Sequence, residues 1–478
     1  MFNEIILDKL KEECGIAGIY NNNSFKDAAE YIYYCLYALQ HRGQESAGIA
    51  TSDGINTYFH KEMGLVPEVF NEMVLKRLRG SKAIGHVRYS TTGGSKVANT
   101  QPLVVRYRGG TIALAHNGNL VNAAELRKCL EDKGVVFQTT MDSEVIANLV
   151  ARFSKQGIVK AIERTMDMIR GSYSLAVMTE DCLIGVRDIY GLRPLCLGKS
   201  ADGYVLASES CALDVIEAEF IRDIEPGEII IINKTGIKSR QVQTRNKRTL
   251  CIFEYIYFAR SDSIIDGISV YEARKNAGKI LASEHPADAD LVIAVPDTSI
   301  PAAIGYAEAS GIPFSEGMIK NRYVGRTFIQ PEQEMRETAV RLKLNPLRHN
   351  VSGKRLVMID DSIVRGTTSR QIVTSLRMAG AAEVHLRICS PPVAYSCHFG
   401  IDTPNRELLL GAVNTVEQIR KAIGADSLGY LSIDGLVKST GKPAEHFCLA
   451  CFNGNYPMEV PKAGNKNIFE KEQETELT

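Results

Sequence analysis

The stretch Arg355-Leu-Val-Met-Ile-Asp-Asp-Ser-Ile-Val-Arg-Gly-Thr-Thr-Ser369 decides how the second half of this 478-residue chain folds. Residues 356–359 are apolar, which is typical of a buried parallel strand. Two adjacent carboxylates, Asp360 and Asp361, end this strand, and a polar turn leads into a helical pattern over 369–378. Backbone N–H groups and the helix dipole at such a turn favour an anion. The two acids suit sugar hydroxyls or a hard cation such as Mg2+.

The residues before this stretch show the same alternation of strand and helix. Helical patterns cover 271–284 and 302–309, and an apolar run at 291–295 between them is typical of a second buried strand. This order predicts a doubly wound parallel sheet, in which ligands bind beyond the carboxyl ends of the strands. Asp360 and Asp361 follow one such end. An ordinary turn with surface acids is the alternative, but paired acids repel each other without a ligand.

The first half of the chain has a different pattern, with many short strands, glycine-rich turns and few helices. Helical patterns cover about 27–39, 123–133 and 143–153, and strands account for most of the rest up to residue 232. We therefore expect an α/β sandwich of antiparallel sheets. Residues 233–248 are polar and basic without apolar periodicity. We interpret them as a linker between two domains, with a nucleic-acid patch as the alternative.

Composition excludes several classes of protein. The chain has 56 basic and 56 acidic residues, so its net charge does not favour binding to nucleic acid or to a membrane surface. No apolar run approaches the roughly 20 residues that span a bilayer, and residues 1–13 lack the apolar core of a secretion signal. Eleven cysteines in such a chain indicate a reducing cytoplasm. The charged tail after Tyr456 is expected to be frayed.

Residues 357–369 resemble the phosphoribosyl pyrophosphate (PRPP) motif of type I phosphoribosyltransferases, with five apolar residues, two acids and a Gly-Thr-Thr turn. The resemblance implies that the turn holds the 5′-phosphate, and that the acids bind the ribose hydroxyls and lie near one Mg2+ per subunit. The loop Pro296-Asp-Thr-Ser-Ile300 resembles the pyrophosphate loop of that family and adds Thr298 to the metal site. The implied PRPP ligands in the motif are Asp360, Asp361, Ser362, Arg365, Gly366, Thr367 and Thr368.

Four motifs in the first half resemble the class II glutamine amidotransferases, which are N-terminal-nucleophile (Ntn) hydrolases with an αββα sandwich. They are Cys14-Gly-Ile-Ala-Gly-Ile19, His41-Arg-Gly-Gln-Glu-Ser-Ala-Gly48, Gly85-His-Val-Arg-Tyr-Ser-Thr91 and Ala115-His-Asn-Gly-Asn119. The resemblance implies that Cys14 attacks glutamine. Its α-amino group, with a reference pKa of about 8, can act as the base only if the chain begins there, so we expect residues 1–13 to be a removed propeptide. His86 and His116 fit hydrogen-bonded strand histidines better than catalysts.

The same resemblance assigns four further roles in the first half. Arg88 is expected to grip the glutamine α-carboxylate with its guanidinium fork. Asp142 is expected to receive the glutamine ammonium group. Asn117 and the N–H of Gly118 are expected to form the oxyanion hole, which stabilises a tetrahedral intermediate.

Cysteines of the second half point to a metal centre. Cys448 and Cys451 form a Cys-x-x-Cys pair, which suits zinc, a redox dithiol or an iron–sulfur cluster, and the lack of a thioredoxin-like pattern disfavours the dithiol. Cys251 and Cys397 match positions used by the iron–sulfur branch of the PRPP amidotransferases. The resemblance implies one structural [4Fe-4S] cluster per subunit, with zinc as the alternative. Cys389 competes as a ligand but lies in an apolar strand and is expected to be core.

Residues 320–330, Lys-Asn-Arg-Tyr-Val-Gly-Arg-Thr-Phe-Ile-Gln, resemble the mobile loop of PRPP amidotransferases. Three cations and a glycine suit a lid that orders over an anion and excludes water. Lys320 and Arg326 are therefore expected to bind PRPP. A closed lid would also retain ammonia, which we expect to pass between the two sites through an apolar passage.

The combined resemblance covers residues 14 to about 456 and is to the amidophosphoribosyltransferase family, in its leader-bearing iron–sulfur branch. It implies that glutamine, PRPP and water give 5-phosphoribosylamine, glutamate and pyrophosphate, the committing step of purine synthesis. The implied units are a propeptide (1–13), a glutaminase domain (14–240), a phosphoribosyltransferase domain (249–445), and a C-terminal segment with two cysteines and a tail (446–478).

The resemblance also implies a cytoplasmic homotetramer that purine nucleotides inhibit, with no nucleic-acid or membrane partner. Arg260, Ser261 and Lys343 are candidate nucleotide contacts. Two other functions are weighed against this one. A PRPP-binding regulator of transcription would carry a DNA-binding domain in place of the Cys14 motifs. A different class II amidotransferase, such as one making glucosamine 6-phosphate, would carry sugar-isomerase domains in place of the PRPP motif.

Overall fold

The computed structural model describes residues 14–22, 27–89, 94–242, 248–321, 344–403, 405–461 and 469. Its strands are β1 (Gly15–Asn21), β2 (Ser46–Ser52), β3 (Thr57–Met63), β4 (Lys82–Arg88), β5 (Leu103–Tyr107), β6 (Gly110–Leu120), β7 (Gly171–Met178), β8 (Cys182–Arg187), β9 (Cys196–Lys199), β10 (Gly203–Ala207), β11 (Glu219–Asp223), β12 (Glu228–Asn233), β13 (Gly236–Gln241), β14 (Leu250–Cys251), β15 (Ile264–Ile265), β16 (Ile268–Ser269), β17 (Leu291–Ala294), β18 (Met318–Lys320), β19 (Leu344–Pro346), β20 (Arg355–Asp360), β21 (Glu383–Ile388), β22 (Ser427–Tyr430) and β23 (Phe447–Cys448).

The α-helices are α1 (Ala29–Ala38), α2 (Val66–Val69), α3 (Glu72–Leu75), α4 (Ala123–Glu131), α5 (Ser143–Phe153), α6 (Ile158–Met168), α7 (Cys211–Asp214), α8 (Val270–Glu284), α9 (Ile300–Ser310), α10 (Arg348–Val351), α11 (Thr367–Met378), α12 (Leu410–Val413), α13 (Val416–Ile423), α14 (Ile433–Thr440) and α15 (Ala450–Asn453). Short 3-10 turns occur at Gln40–Arg42, Val97–Asn99, Ser154–Gln156, Arg406–Leu408 and Ala444–His446, and a π-helical turn at Glu254–Phe258.

The first half of the chain (14–242) forms two antiparallel sheets that pack face to face. Within the described residues their strand orders are β11-β9-β10-β1-β4-β2-β3 and β13-β12-β8-β7-β6-β5. Glycine lets the sheets approach closely, since a Cβ at Gly18 would lie 2.9 Å from Leu183 Cδ1 of the other sheet. Helix α1 covers the first sheet with Ile32 and Leu36, and α5 and α6 cover the second. The predicted αββα sandwich is confirmed.

The second half (248–461) is built on a parallel sheet of strand order β17-β20-β21-β22 in the described residues. Alternate residues of β20 face opposite sides, as strand geometry requires. Val357 and Ile359 join a core with α8 and α9, whereas Leu356 and Met358 join a core with α11 and α13. Helices therefore cover both faces, and the predicted doubly wound parallel sheet is confirmed.

Helices α8 and α9 touch each other through two glycines. A Cβ at Gly278 would collide with the carbonyl oxygen of Ala302, and a Cβ at Gly305 would collide with the backbone of α8. The two backbones are therefore in direct contact, as only glycine permits. Arg274 lies in α8, and Thr298 lies two residues before α9. This contact fixes the spacing between those two residues.

The interpretation of residues 233–248 as a linker is wrong for its first part. Residues 236–241 form β13, which pairs with β12 as a hairpin at the edge of the second sheet. Most side chains of β13 are exposed, so the strand carries no apolar alternation that the sequence could reveal. Residues 243–247 lie outside the described residues.

The expectation of a frayed tail is wrong for the residues that the structure describes beyond residue 456. Met458 and Val460 pack against a small apolar cluster that includes Leu192. Phe469, only 6% exposed, is part of the hydrophobic core of the first half. The tail therefore returns to the amidotransferase-like part of the chain. Across the described ranges, every helix is too short or too polar to cross a bilayer.

Candidate active sites

Cys14 lies at the start of β1, which is paired with β4 on one side and β10 on the other. Its side chain is buried, and Sγ donates a hydrogen bond to the carbonyl oxygen of Tyr89 at 3.3 Å. Burial raises the pKa of the Cys14 thiol to about 11, although the Tyr89 hydrogen bond and the positive charge of Arg88 oppose the rise. The thiol therefore needs a base to react at neutral pH. Residues 1–13, the expected propeptide, lie outside the described residues.

Arg88 ends β4 and is buried beside the thiol. Its Nη1 atom lies 3.6 Å from Glu45 Oε2 and 3.4 Å from the carbonyl oxygen of Gly94. Ser95 Oγ donates to the same Glu45 oxygen at 2.8 Å. The sequence analysis did not single out this Glu45–Ser95 contact, although Glu45 stands in one of the quoted motifs. A guanidinium held in this way offers a fixed positive charge next to Cys14.

Asn117 and Gly118 lie in β6, opposite Ser174 and Tyr173 of β7. The side-chain amide of Asn117 is buried, and neither its nitrogen nor its oxygen has a hydrogen-bond partner among the described residues. Buried polar atoms without a partner are rare and often mark a place for a ligand. Gly118 has φ +147°, and a Cβ there would collide with the carbonyl oxygen of Ser172. The strand thus presents an unsatisfied amide beside a glycine backbone.

Asp142 precedes α5, and its carboxylate is tied to β6. Oδ2 accepts a hydrogen bond from the Leu120 N–H at 2.9 Å, and Oδ1 lies 3.7 Å from Nδ1 of His116. The negative charge of Asp142 is close enough to raise the pKa of the Cys14 thiol further. The structure therefore brings both Arg88 and Asp142 within electrostatic reach of Cys14.

The two motif histidines are buried in the facing sheets. His86 Nε2 lies 3.0 Å from the carbonyl oxygen of His116, and Nδ1 of His116 lies 3.0 Å from Ser143 Oγ. Burial lowers the pKa of His86 to about 3, so the ring is neutral at physiological pH. These contacts agree with the structural role that the sequence analysis favoured, although Nδ1 of His86 has no partner among the described residues.

A loop from the second half, residues 397–400, packs behind the Asn117–Gly118 strand. Asn119 Nδ2 donates to the carbonyl oxygen of His398 at 2.9 Å, and Ser172 Oγ donates to that of Phe399 at 2.7 Å. A Cβ at Gly400 would lie 3.5 Å from the Cα of Gly118. No local pattern in the sequence predicts this contact, because the partners are far apart along the chain.

The acids of the PRPP-like motif lie at the carboxyl end of β20, where both are buried. Asp360 Oδ1 accepts a hydrogen bond from the N–H of Asp361 at 2.9 Å. Asp361 accepts one from Ser362 Oγ at 2.8 Å and one from Thr298 Oγ1 at 2.7 Å. The turn after β17 and the turn after β20 therefore meet at Asp361, as the parallel-sheet prediction requires.

The turn that follows is shaped by Gly366, which has φ +77° just before α11. A Cβ at Gly366 would lie 2.5 Å from Leu410 Cδ1, so a side chain there would have to displace the end of Leu410. Arg365 and Thr367 are exposed, and Thr368 is buried in the first turn of the helix. The turn thus presents backbone N–H groups of a helix N-terminus beside hydroxyl and guanidinium groups, an arrangement suited to phosphate.

Lys320 ends β18 and reaches the loop after β17. Its Nζ atom lies 2.7 Å from Asp297 Oδ2, in the loop whose Pro296–Asp297 peptide bond is cis. A cation therefore stands at the edge of the expected pyrophosphate loop. Residues 322–330 of the expected lid, which include Arg326, lie outside the described residues, and so does Lys343.

The four expected cluster cysteines converge where the two halves meet. Cys251 and Cys448 are directly opposite each other in the parallel pair β14–β23. The carbonyl oxygen of Cys451 accepts hydrogen bonds from the N–H groups of Ala394 and Tyr395. These bonds bring the segment that precedes Cys397 next to Cys451. Burial raises the pKa of Cys448 to about 12, and Cys397 adds to the rise.

Burial, followed by Cys448 and Cys397, likewise raises the pKa of Cys451, so these thiols are close enough to interact electrostatically. No three His, Cys, Asp or Glu side chains of the described ranges gather tightly enough to hold a single metal ion. Cys389 is buried elsewhere, with its N–H on the carbonyl oxygen of Asp360 at 2.9 Å, as its expected place in the core requires.

A buried charge network that the sequence analysis missed lies between the two sites. Arg42 donates from Nε to Glu209 and from Nη2 to Glu254, and none of the three side chains is exposed. Arg274 of α8 donates to the carbonyl oxygens of Tyr255 and Ala259, each at 2.8 Å, and so holds the π-helical turn that begins with Glu254. The quoted motif at 41–48 includes Arg42, but its partners could not be read from the motif.

Comparison with known proteins identifies the class of the first half. Residues 86–215 match the family model described as "Glutamine amidotransferase domain". The chain therefore belongs to the class of proteins with a glutamine amidotransferase domain. In this chain the domain has the αββα sandwich described above.

Whole-chain comparisons identify the family. The chain is 52% identical over 456 residues to the amidophosphoribosyltransferase of Bacillus subtilis (strain 168), across 94% of this chain and 95% of that protein. It is 53% identical over 452 residues to that of Archaeoglobus fulgidus, across 94% of this chain and 98% of that protein. A structure described as the glutamine PRPP amidotransferase of B. subtilis complexed with ADP and GMP matches with a TM-score of 0.89 and 51% identity, across 94% of this chain and 98% of that one.

The chain belongs to the amidophosphoribosyltransferase family. It is a transferase that catalyses the first step of purine biosynthesis, in which glutamine, PRPP and water give 5-phosphoribosylamine, glutamate and pyrophosphate. The two rival functions are excluded, because the match extends over nearly the whole chain rather than over one half.

Proposed function

We propose that Cys14 is the nucleophile of a glutaminase site in which Arg88 binds the α-carboxylate of glutamine and Asp142 its α-ammonium group. The observation that carries this proposal is that Arg88 and Asp142 both lie within electrostatic reach of the buried Cys14 thiol. Cleavage before Cys14 frees an α-amino group with a pKa of about 8, which takes the thiol proton and passes it to the departing ammonia. Residues 1–13 are the propeptide in this proposal.

The oxyanion of the tetrahedral intermediate is held by Asn117 Nδ2 and the N–H of Gly118. The buried, unpartnered amide of Asn117 supports this role, because an amide without a partner is free to donate to a developing negative charge. Such donors act mainly on the transition state, since the charge forms only as the thiolate attacks. The glycine at 118 lets the strand pass close to the backbone of Ser172.

PRPP binds beyond the carboxyl ends of β17 and β20. Ser362, Arg365, Gly366, Thr367 and Thr368 surround the 5′-phosphate, and Asp360 and Asp361 hold the ribose hydroxyls. Lys320, 2.7 Å from Asp297, stands over the pyrophosphate loop, and Arg326 joins it from the lid. Ammonia attacks C1 of the ribose as the C1–pyrophosphate bond breaks. A free ammonia molecule would be protonated in water, so we infer that it travels inside the protein between the sites.

One Mg2+ fits beside Asp361, because Thr298 Oγ1 and both aspartates offer oxygen donors there. Mg2+ is usually bound by one or two carboxylates together with substrate phosphates. When bound it neutralises charge that develops on the departing pyrophosphate. The chain's own contribution is to fix Asp361 through Ser362 and Thr298, so that the carboxylate is already oriented when PRPP arrives.

A [4Fe-4S] cluster fits Cys251, Cys397, Cys448 and Cys451. The thiols are close enough to interact electrostatically but are not gathered around a single point in the described structure. A zinc ion draws its sulfurs to about 2.3 Å from one centre, whereas a cluster takes one thiolate at each of its irons and spreads them wider. The buried position at the meeting point of the two halves suits a structural role.

We further propose that the enzyme is a cytoplasmic homotetramer that purine nucleotides inhibit. The related B. subtilis structure is described as complexed with ADP and GMP, which supports nucleotide binding here. Arg260 and Ser261 are candidate contacts, and both are joined to the buried network: the Arg260 N–H donates to Glu209 at 2.9 Å, and Ser261 Oγ accepts from Arg274 at 3.0 Å.

The test measures glutamate and pyrophosphate released by the purified enzyme with glutamine or with ammonium chloride. Cys14→Ala should abolish glutamine-dependent product and keep the ammonia-driven reaction, whereas Asp361→Asn should reduce both by at least about 100-fold. Asp290→Asn, in an exposed pair with Arg355 at the other end of β20, is the control and should change neither. Glutamine-dependent activity in Cys14→Ala, or full-length mass in an active preparation, would overturn the assigned nucleophile.

A further inference from the structure

Phe469 is a residue of the C-terminal tail that lies in the core of the first half. Its side chain is 6% exposed and belongs to the apolar cluster formed around α4, α5 and α6. Its ring lies 4.8 Å from the guanidinium carbon of Arg127 in α4. More than two hundred residues separate the two positions along the chain. The tail is thus in contact with the half of the chain that handles glutamine.

Arg127 is held between two aromatic rings. The ring of Phe137 lies 4.3 Å from its guanidinium carbon, and the ring of Phe469 lies 4.8 Å from the same atom. Rings within about 6 Å attract a guanidinium through their negative faces. Nε donates to Glu131 Oε1 at 2.9 Å, and Nη1 donates to the carbonyl oxygen of Thr139 at 2.9 Å. The two rings therefore fix the direction in which Arg127 donates to Thr139.

Thr139 begins the loop that carries Asp142. Glu144 accepts from both the N–H and the hydroxyl of Thr139 at 2.7 Å, and Asn99 Oδ1 accepts from the Thr140 N–H at 3.1 Å. Glu144 and Asn99 thus accept hydrogen bonds from the backbone N–H groups of the loop. Arg127 is the group that holds its Thr139 carbonyl oxygen. Movement of Arg127 would loosen the loop on that side only.

We propose that Phe469 of the tail is a positioning residue for glutamine binding, acting through Arg127 on the loop 139–142. The inference rests on the proposed role of Asp142 as the acceptor of the glutamine ammonium group. Phe469 closes the stack on Arg127, Arg127 holds Thr139, and the loop presents Asp142 to the substrate. The tail therefore sets the affinity for glutamine and has no part in the attack of ammonia on PRPP.

The proposal predicts different effects on the glutamine-driven and the ammonia-driven reactions. A general loss of stability would lower the rates of both. Without the Phe469 ring, Arg127 keeps its charge but loses one face of its stack, so the loop samples more conformations. We expect Phe469→Ala to raise the KM for glutamine about 3- to 10-fold, the range that corresponds to one cation–π contact. The rate with ammonium chloride as nitrogen donor should not change. Phe469→Tyr keeps the ring and should restore the KM, and Phe469→Leu should give an intermediate value.

The experiment uses the full-length enzyme at saturating PRPP and Mg2+. Phe59→Ala is the matched control, because Phe59 is an exposed aromatic residue on β3 of the other sheet and should leave both activities unchanged. An unchanged KM for glutamine in Phe469→Ala would overturn the inference. An equal loss of the glutamine-driven and ammonia-driven rates would overturn it too, because it would show a general structural effect.

A second variant keeps this inference distinct from the proposed glutamine site. Asp142→Asn removes the expected acceptor and should raise the KM for glutamine strongly, whatever the state of the tail. If Asp142→Asn had no effect, the proposed glutamine site would fail. If Asp142→Asn raised the KM and Phe469→Ala did not, only the role of the tail would fail.

Discussion

Arg42 and Glu254 form an ion pair between the two halves of the chain, and neither side chain has any exposed surface. Arg42 follows α1, and its Cβ lies 3.4 Å from where a Cβ of Gly15 would stand, next to Cys14. Glu254 begins the π-helical turn that Arg274 holds from α8. The pair thus connects the backbone beside the nucleophile to the helix that packs under the PRPP motif.

Removing one charge of this pair is expected to destabilise the fold. Glu254→Gln leaves Arg42 buried with less compensating charge, which costs about 3 to 5 kcal/mol of unfolding free energy. Urea unfolding followed by tyrosine fluorescence and circular dichroism would measure the change. Glu417→Gln breaks an exposed pair with Arg420 and should change the free energy by less than about 1 kcal/mol. Equal effects of the two variants would contradict the buried pair as a main contact between the halves.

Asn117→Ala should lower kcat with glutamine about 100- to 1000-fold, with little change in KM, because the amide acts on the transition state. The ammonia-driven rate should remain, since that reaction does not use the oxyanion hole. Steady-state kinetics with both nitrogen donors would measure the split. Asn233→Ala, at the turn between β12 and β13, removes an amide far from the site and is the control. A rise in KM without a fall in kcat would assign Asn117 to substrate binding instead.

Cys448→Ser should abolish the iron content and visible absorbance of enzyme purified without oxygen. Cys389→Ser should keep both, since Cys389 is buried at the end of β21 with its N–H on Asp360. Iron and zinc analysis together with visible spectra would distinguish the two variants. If Cys389→Ser lost its iron and Cys448→Ser kept it, Cys389 would be a cluster ligand and Cys448 would not. One zinc per chain and no iron in the unaltered enzyme would overturn the cluster.

His86 should make the folded state less stable in acid. Burial lowers its pKa from 6.5 to about 3, so the unfolded chain binds a proton between these values that the folded chain does not. Above pH 6.5 His86 therefore does not reduce the unfolding free energy. Below pH 6.5 its titration lowers the unfolding free energy by about 1.4 kcal/mol for each pH unit. Unfolding free energies of the enzyme and of His86→Gln from pH 7 to pH 4.5 would test this. The difference in unfolding free energy between the unaltered enzyme and His86→Gln should become smaller as the pH falls. A difference that does not change with pH would contradict the lowered pKa of His86.

The sequence was most informative where a chemical motif and a regular period coincide. The apolar run before Asp360 has the length of a strand, and glycine followed by hydroxyls starts a helix, so the order β20–turn–α11 could be predicted. The motif around Asn117 could be recognised by resemblance. The lack of hydrogen-bond partners for the Asn117 amide among the described residues could not be predicted, because it depends on which groups face Asn117 in the folded chain.

Long-range relationships were not predictable for physical reasons. β13 is an edge strand with few buried side chains, so it carries no alternation. Arg42 meets Glu254 only because the two halves pack together, and no local pattern encodes that pairing. Phe469 is a single aromatic residue in a polar tail, and one apolar residue gives no periodicity.

The backbone contact between α8 and α9 has a consequence for how this enzyme can vary. Gly278 and Gly305 leave no space for even one methyl group, so a substitution at either position would separate the two helices. That separation would move Thr298, and with it the proposed pyrophosphate loop, away from Arg274. Two residues with no side chain thus set the spacing of these two helices, and neither position can accept a larger residue unless the other helix is rebuilt.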